Sequence, residues 1–589
     1  MAKAARQRIR DAAASAREVG PGADDSAPPD DFGLPQGCPV KPLGMLGMAR
    51  HYLDEARQLV SLDARDHTRN NLVALFGAKQ DYVFGQKRWL RVKDDGTISG
   101  IRPERIADDL MQASARAGIW DPAERVRGRG AWRGPNDELI LHVGDRVLTF
   151  LPRPDAWAGR AEDQPGVLAL PGDPARYVYP SGERTSRVGE DAGDGPADEV
   201  RDILETWNWR RPDIDPILLL GWIGAAMIGG ALKWRPSIWF TGTKGTGKST
   251  LQGAVAHLIG SCLTLADTTA AGVWQTVRHQ TLPVLVDELE ADADNRRALA
   301  VVQLARLSAS GGRMARGSDR HQAQEFILRA CFAFSSVLMP PLLGTDRSRL
   351  AILELAEMAP GAEMPDLAPA RLRALHQRLL RRMVDGWHRL DNTIEVYRRA
   401  LSSVGHSARG ADQFGTLLGC ADVLLFDNRP TAESVAAWIG QMDAADIHET
   451  AEDVRDEDAC WQHLLGTPLD AQRGGERFNV GVWLARALGR YGHDLAEEAQ
   501  KVISAHGITV RRRLGEPVTI AVANSHRGLS ALFEKTRWSG GVWRQALQRL
   551  PDASRSQQAI YFGGATSKAT LLPDRLVPED EAPRQQPLL

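Results

Sequence analysis

Cysteine is scarce in this chain: five residues among 589, at positions 38, 262, 331, 420 and 460, with no Cys-x-x-Cys pair. Such spacing argues against a disulfide framework and a structural zinc site, and it fits a reducing, cytoplasmic setting. Net charge is also lacking. Lys and Arg number 73 against 75 Asp and Glu, a formal −2, so no chain-wide basic field draws the protein to nucleic acid and any such contact must come from a local patch. Membrane-length apolar runs are missing too. The uncharged stretch Ile217 to Leu232 has 16 residues, short of the roughly 20 needed to span a bilayer, so it reads as a buried helix and no membrane partner is expected. The first 17 residues are rich in Ala and Arg and lack the apolar core of a secretion signal. What remains, 43% hydrophobic and 25% charged, is the composition of a soluble globular chain with three or four domains.

Against this background one segment stands out. Ser237 to Thr241 is a short apolar run that opens into Gly242-Thr-Lys-Gly-Thr-Gly-Lys-Ser-Thr250, a P-loop pattern between a predicted strand and a predicted helix. A triphosphate needs a concave ring of backbone N–H groups, and glycines at 242, 245 and 247 let the chain wrap that closely. Lys248 then reaches the β- and γ-phosphates, the Ser249 hydroxyl ligates Mg²⁺, and the helix beginning at Lys248 directs its positive end at the anion. The whole turn, Gly242, Thr243, Lys244, Gly245, Thr246, Gly247, Lys248, Ser249 and Thr250, is therefore assigned to ATP.

Hydrolysis needs acids, and Leu282-Pro-Val-Leu-Val-Asp-Glu288 supplies them at the end of an apolar strand. Asp287 is placed to hold the metal and Glu288 to orient and polarise the attacking water; Glu290, Asp292 and Asp294 read as a solvated helix start. A third apolar strand, Ala330 to Val337, ends in Ser335 and Ser336, either of which can meet the γ-phosphate or the water, with Ser336 assigned to the nucleotide. Asp346-Arg-Ser-Arg-Leu then enters a fourth strand. Arg349 or Arg347 suits a developing phosphoryl charge across a subunit boundary; the alternative for both is an ion pair with Asp346.

The order P-loop, short gap, Val-Asp-Glu, polar strand end and Ser-Arg-Leu resembles the superfamily 3 helicases of viruses, phages and plasmids, a branch of the AAA+-like ATPases. The resemblance covers Asp202 to Ala359. It implies that Lys248 and Ser249 serve the triphosphate and Mg²⁺, that Asp287 and Glu288 are the acidic pair, that Arg349 is the arginine finger, and that subunits close into a ring, expected to be hexameric, around single-stranded DNA. The family usually places Asn where this chain has Ser335 and Ser336. It also carries a channel hairpin before that strand; here the corresponding stretch, Ser310 to Gln322, holds Arg313, Arg316, Arg320 and His321, suited to phosphate contacts that read no sequence. A merely solvated basic loop is the alternative.

The expected architecture is an α/β P-loop (AAA+-like) ATPase core at 201–360, preceded by a tail (1–33), an N-terminal α+β domain (34–160) and a linker (161–200). A helical lid or collar (361–458), a C-terminal α+β domain compatible with a winged-helix-like reader (459–575) and a polar tail (576–589) follow. Within the N-terminal domain Arg125 to Arg133 interleaves basic residues with Trp132, which reads as a stacking surface or as a packed Trp with a solvated rim. His376 and His388, in an arginine-rich helical stretch, read as surface or helix-end histidines. Function is expected to be that of an ATP-dependent DNA motor, a prophage or mobile-element replicative helicase, or else a nucleotide-switched initiator, loader or scaffold that does not unwind.

Overall fold

The computed structural model describes residues 32–168, 177–290, 295–317, 323–342, 344–358, 365–442, 456–470, 477–512, 515 and 517–578. The chain divides into two compact units, Met1–Ala444 and Ala445–Leu589.

The first unit opens with an antiparallel meander, β1 (Lys41–Leu46), β2 (Ala49–Leu53) and β3 (Leu59–Asp63), followed by helices α1 (Arg69–Phe76) and α2 (Pro103–Ala117). Helix α2 starts at a proline, whose missing N–H is no loss at that position. Its Ile106, Leu110 and Ala113 recur at three- and four-residue spacing and pack with Tyr52, Leu72, Phe76 and Trp89. Strands β4 (Gly130–Arg133), β5 (Leu139–His142) and β6 (Val147–Phe150) form a second antiparallel sheet.

Next comes α3 (Asp215–Met227), apolar on all sides and buried along nearly its whole length. It fulfils the expectation of a core helix, and among the described residues no helix is long and apolar enough to cross a membrane. The chain then enters β7 (Ser237–Thr241), α4 (Lys248–Ile259), β8 (Leu263–Ala266), β9 (Val284–Asp287) and α5 (Arg296–Ser310). The hairpin β10 (Arg313–Gly317) and β11 (Ala323–Ile327) precedes β12 (Phe332–Ser335) and β13 (Leu350–Glu354). Five of these strands form one sheet in the order β8-β9-β12-β7-β13, with every pair parallel. Continuous apolar runs such as Val284-Leu-Val and Phe332-Ala-Phe suit strands covered on both faces.

Parallel strands place all their carboxyl ends on one edge, where ligands of open α/β sheets are held. Helices α6 (Pro369–Asp385), α7 (Trp387–Ser403) and α8 (Ala408–Leu425) complete the unit.

Segment 125–133 is spent on internal packing. Trp132 is buried and its indole N–H donates to the Gly128 carbonyl. Arg127 is buried against the Tyr177 ring, while Arg133 forms a two-toothed pair with Asp391 at 2.9 Å on both arms. The reading of His376 as a surface residue is corrected: it is 3% exposed, with its Nδ1 3.0 Å from the Leu258 carbonyl, because α6 lies against the end of α4 and Gly260 leaves room for the ring.

The second unit contains α9 (Asp456–Gly466), α10 (Val480–Ala487) and α11 (His493–Ala505), then β14 (Ile508–Arg511), β15 (Thr519–Ala523), α12 (Arg527–Leu532) and α13 (Trp543–Leu547). Its last strands are β16 (Ser554–Arg555), β17 (Ile560–Phe562), β18 (Ala565–Ser567) and β19 (Ala569–Pro573). An antiparallel sheet runs β14-β15-β19-β16, and β17-β18 is a separate hairpin. Helix α13 starts only at Trp543, since Gly540 and Gly541 both take positive φ ahead of it.

Candidate nucleotide site

The P-loop turn follows from its glycines. Gly242, Gly245 and Gly247 have φ of +146°, +90° and +82°, a region costly for residues with a Cβ. At Gly242 a Cβ would also lie 2.3 Å from the Leu355 carbonyl oxygen. Gly247 caps α4, so the helix starts at Lys248. The Lys248 ammonium donates to the carbonyls of Gly242 at 2.6 Å and Thr243 at 2.9 Å, which folds the side chain back across the turn. The Thr246 hydroxyl donates to the Thr243 carbonyl at 3.0 Å, while Thr243, Lys244, Gly245, Ser249 and Thr250 face solvent.

Register brings the acids to the same edge. Phe240 pairs with Ser335 and Val286 with Phe334, so Asp287 stands level with the end of β7. It is two strands away, about 10 Å at ordinary strand spacing. Glu288 is exposed and has φ +56°, a left-handed conformation unusual for a residue with a side chain and one that concentrates at functional turns. Its N–H donates to Asp287 Oδ1 at 3.0 Å, which helps hold the turn.

The end of β12 is bolted on both sides. Toward the P-loop strand, the Ser336 N–H donates to the Phe240 carbonyl, the Trp239 indole N–H to Ser336 Oγ at 2.9 Å, and the Thr241 hydroxyl to the Val337 carbonyl. Toward the acids, the Leu289 N–H donates to the Ser335 carbonyl, and the Glu290 carboxylate accepts the N–H groups of Val337 at 2.6 Å and Leu338 at 3.0 Å. Glu290 therefore is not the solvated helix start expected of it; Asp292 and Asp294 lie outside the described residues. Ser335 and Ser336 are both buried, each 2% exposed.

Sequence reasoning missed a further wall of the turn. Segment 207–210 runs along β13, with the Arg210 N–H donating to the Glu354 carbonyl and the Ala356 N–H to the Asn208 carbonyl. This seats buried Trp207 under the P-loop, its indole N–H 3.4 Å from the Gly247 carbonyl. The paired tryptophans of Trp207-Asn-Trp209, ahead of the P-loop strand, were the available signal.

Arg349 stands half-buried before β13. Burial, then the nearby guanidinium groups of Arg409 and Arg306, lower its basicity. Asp346, 3% exposed, is paired with Arg306 of α5 at 3.0 Å. Of the basic loop, Arg313 and Arg316 lie on β10, in register with Ile327 and Gln324 of β11; Arg320 and His321 lie outside the described residues. The hairpin's base is tied down: buried Arg235 donates to the Leu232 carbonyl and to the Ser308 and Ala309 carbonyls at the end of α5, and Ser308 bridges both backbone groups of Ala330. Among the described residues no cluster of His, Cys, Asp and Glu forms a metal cage. A solvent-exposed Ser249 with Asp287 across the sheet edge suits Mg²⁺ brought by a nucleotide, since that ion keeps most of its waters and phosphate ligands.

Fold and site together define an α/β protein with a P-loop-type turn and an acidic pair at one edge of a parallel sheet. No family model matches the sequence, and no curated protein matches it. Among solved structures the chain is similar to one described as SCCmec type IV Cch, an active helicase, at 11% identity and TM-score 0.43, over 89% of this chain and 90% of that one. It is also similar to the apo C-terminal region of NrS-1, at 11% identity and TM-score 0.30, over 75% of this chain and 95% of that one. At this level of likeness, the reading of the site depends on its own residues.

Proposed function

We propose that the protein is an ATP-dependent DNA motor, a replicative helicase of a prophage or mobile element. ATP with Mg²⁺ binds at Gly242 to Thr250, Lys248 grips the phosphates, Ser249 and Asp287 serve the metal, and Glu288 polarises the attacking water. Arg349 reaches the nucleotide of a neighbouring subunit in a hexameric ring. Ser336 reports the state of the γ-phosphate, and the hairpin with Arg313, Arg316, Arg320 and His321 moves single-stranded DNA through the central channel. The cytoplasm is the proposed setting, and the domain limits given above are the proposed divisions of the chain.

The observation that carries this reading is the common edge. The P-loop turn, the strained Glu288 turn and the end of β12 lie side by side, linked by the hydrogen bonds of Phe240, Ser335 and Glu290. The test is ATP hydrolysis with and without single-stranded DNA, alongside displacement of a labelled strand from a forked duplex. Stimulation with displacement supports the motor. Hydrolysis without single-strand stimulation or displacement, but responsive to another nucleic acid, supports the nucleotide-switched loader, and hydrolysis indifferent to every nucleic acid defeats both readings.

A further inference from the structure

Net charge conceals an uneven distribution. From Ile508 to Val577 the sequence carries eleven Lys and Arg against four Asp and Glu, in a chain whose total is −2. In the second unit Arg527, Lys535, Arg544, Arg549 and Lys568 are exposed, and among the described residues none of them has a carboxylate partner. Arg537 and Arg575 do, pairing with Asp456 and Asp552.

Arg527 and Lys568, with exposed Arg555, sit on neighbouring elements joined by hydrogen bonds. Arg555 donates two hydrogen bonds to Gln548 Oε1, at 3.1 and 2.7 Å. Thr570, opposite Arg555 in the sheet, donates to Asn524 Oδ1 at 3.3 Å. The Asn524 N–H donates to the Lys568 carbonyl at 2.8 Å and the Ser525 N–H to Ser567 Oγ at 3.1 Å, two residues before Arg527. Beside them stands the β17-β18 hairpin, closed by Gly563 and Gly564 at φ +40° and +117°. Alternation buries Phe562 and turns Tyr561 outward, 68% exposed. A Cβ at Gly563 would lie 2.9 Å from the Ala505 backbone, so the hairpin tip is seated on the end of α11 and Tyr561 is presented from a fixed support.

We infer that this face, built from Arg527, Arg555, Lys568 and Tyr561, binds single-stranded nucleic acid, the cations meeting phosphates and the phenol ring stacking on a base. Unpaired cations answer a polyanion, and a projecting aromatic answers an unstacked base, which a duplex does not offer. The inference rests on the nucleic-acid reading above, but it concerns the second unit alone and needs no ATP turnover.

The test uses the full chain without nucleotide and a fluorescent oligothymidine, with a duplex of equal length as the second probe, followed by anisotropy across a NaCl series. Joint reversal R527E/R555E/K568E is expected to weaken oligothymidine binding about tenfold or more and to flatten the slope of log affinity against log salt by roughly 2, as three lost single-strand phosphate contacts require. Y561A is expected to cost about tenfold for oligothymidine and little for the duplex. DNA-independent ATP hydrolysis should be unchanged in both variants. Unaltered affinity and slope would overturn the inference, and so would wild-type preference for the duplex. If the triple reversal does not fold, R527Q and K568Q singly carry the same test through the salt slope. Strand binding that depends on Tyr561 in a chain without ATPase activity would reject the motor and retain this surface.

Discussion

The carboxylate of Glu290 receives the backbone N–H of Val337 at 2.6 Å, tying the turn that holds Asp287 and Glu288 to the segment just past β12. The same carboxylate takes the Leu338 N–H, so removing it leaves two adjacent donors without their partner and frees the acidic turn from the sheet edge. Glu290→Ala is expected to lower kcat for ATP by about tenfold, the lower end of the cost of misplacing an activating group. KM should change little, because the P-loop is untouched. A lost ATP affinity with kcat intact, in steady-state hydrolysis assays, would contradict this role.

Glu288 itself carries a sharper expectation. Glu288→Gln keeps size and hydrogen bonding but removes the basic oxygen, so hydrolysis should fall by roughly 10²-fold or more. ATP binding measured by a fluorescent analogue should remain, and near-normal turnover would remove Glu288 from the mechanism.

Acid should destabilise the first unit through His376. Burial pushes its pKa down from 6.5 to about 4, and among the described residues Nε2 of the same ring has no hydrogen-bond partner. It lines a cavity of about 40 Å³ together with His142, whose pKa burial also lowers. The unfolded chain therefore binds protons that the folded chain refuses, so stability holds above about pH 6.5 and falls as pH drops toward 4. The shift corresponds to about 3 kcal/mol for His376. His376→Gln should flatten the dependence of Tm on pH between 6.5 and 4, and an unchanged profile would show that the ring is not held neutral.

Much of the site was legible because its parts are local in sequence. Glycines at 242, 245 and 247 and the apolar run into Asp287 specify turn and strand by short-range rules, and the structure places both on one edge. What escaped depends on distant contacts. Nothing near Glu290 reveals that its partners lie at 337 and 338, the pair Trp207-Asn-Trp209 marks a packed segment without revealing that Trp207 underlies Gly247, and an arginine-rich helix around His376 gives no sign that this residue faces inward. Arg235 is similar: Lys233-Trp-Arg235 ahead of an apolar strand carries no local mark of burial, yet Arg235 gathers the carbonyls that end α5.

That gathering makes Arg235 an anchor at the base of the hairpin. It is 3% exposed, and burial lowers its pKa to about 10, so it remains charged while satisfying the Leu232, Ser308 and Ala309 carbonyls. Arg235→Met leaves these acceptors buried without donors, at a cost of roughly 2–4 kcal/mol. Thermal denaturation should report a Tm lower by several degrees, and an unshifted Tm would mean the carbonyls find water instead.

Arg349 offers a test of subunit sharing that does not depend on seeing the assembly. Asp346 is paired with Arg306, and Arg349 stands in the same charged cluster, where burial and the guanidinium groups of Arg409 and Arg306 lower its basicity while Asp346 raises it. If it serves a neighbour's nucleotide, Arg349→Ala should cut turnover by 10³-fold or more, as roughly expected for a lost arginine finger, with little effect on ATP binding. Lys248→Ala should be inactive for a different reason. Mixed in equal amounts and allowed to exchange, the two inactive chains form interfaces that pair an intact Lys248 with an intact Arg349 in about a quarter of cases, given head-to-tail contacts. Hydrolysis should then recover to a measurable fraction of wild type. Two variants that remain inactive after demonstrated exchange would place Arg349 outside a shared site.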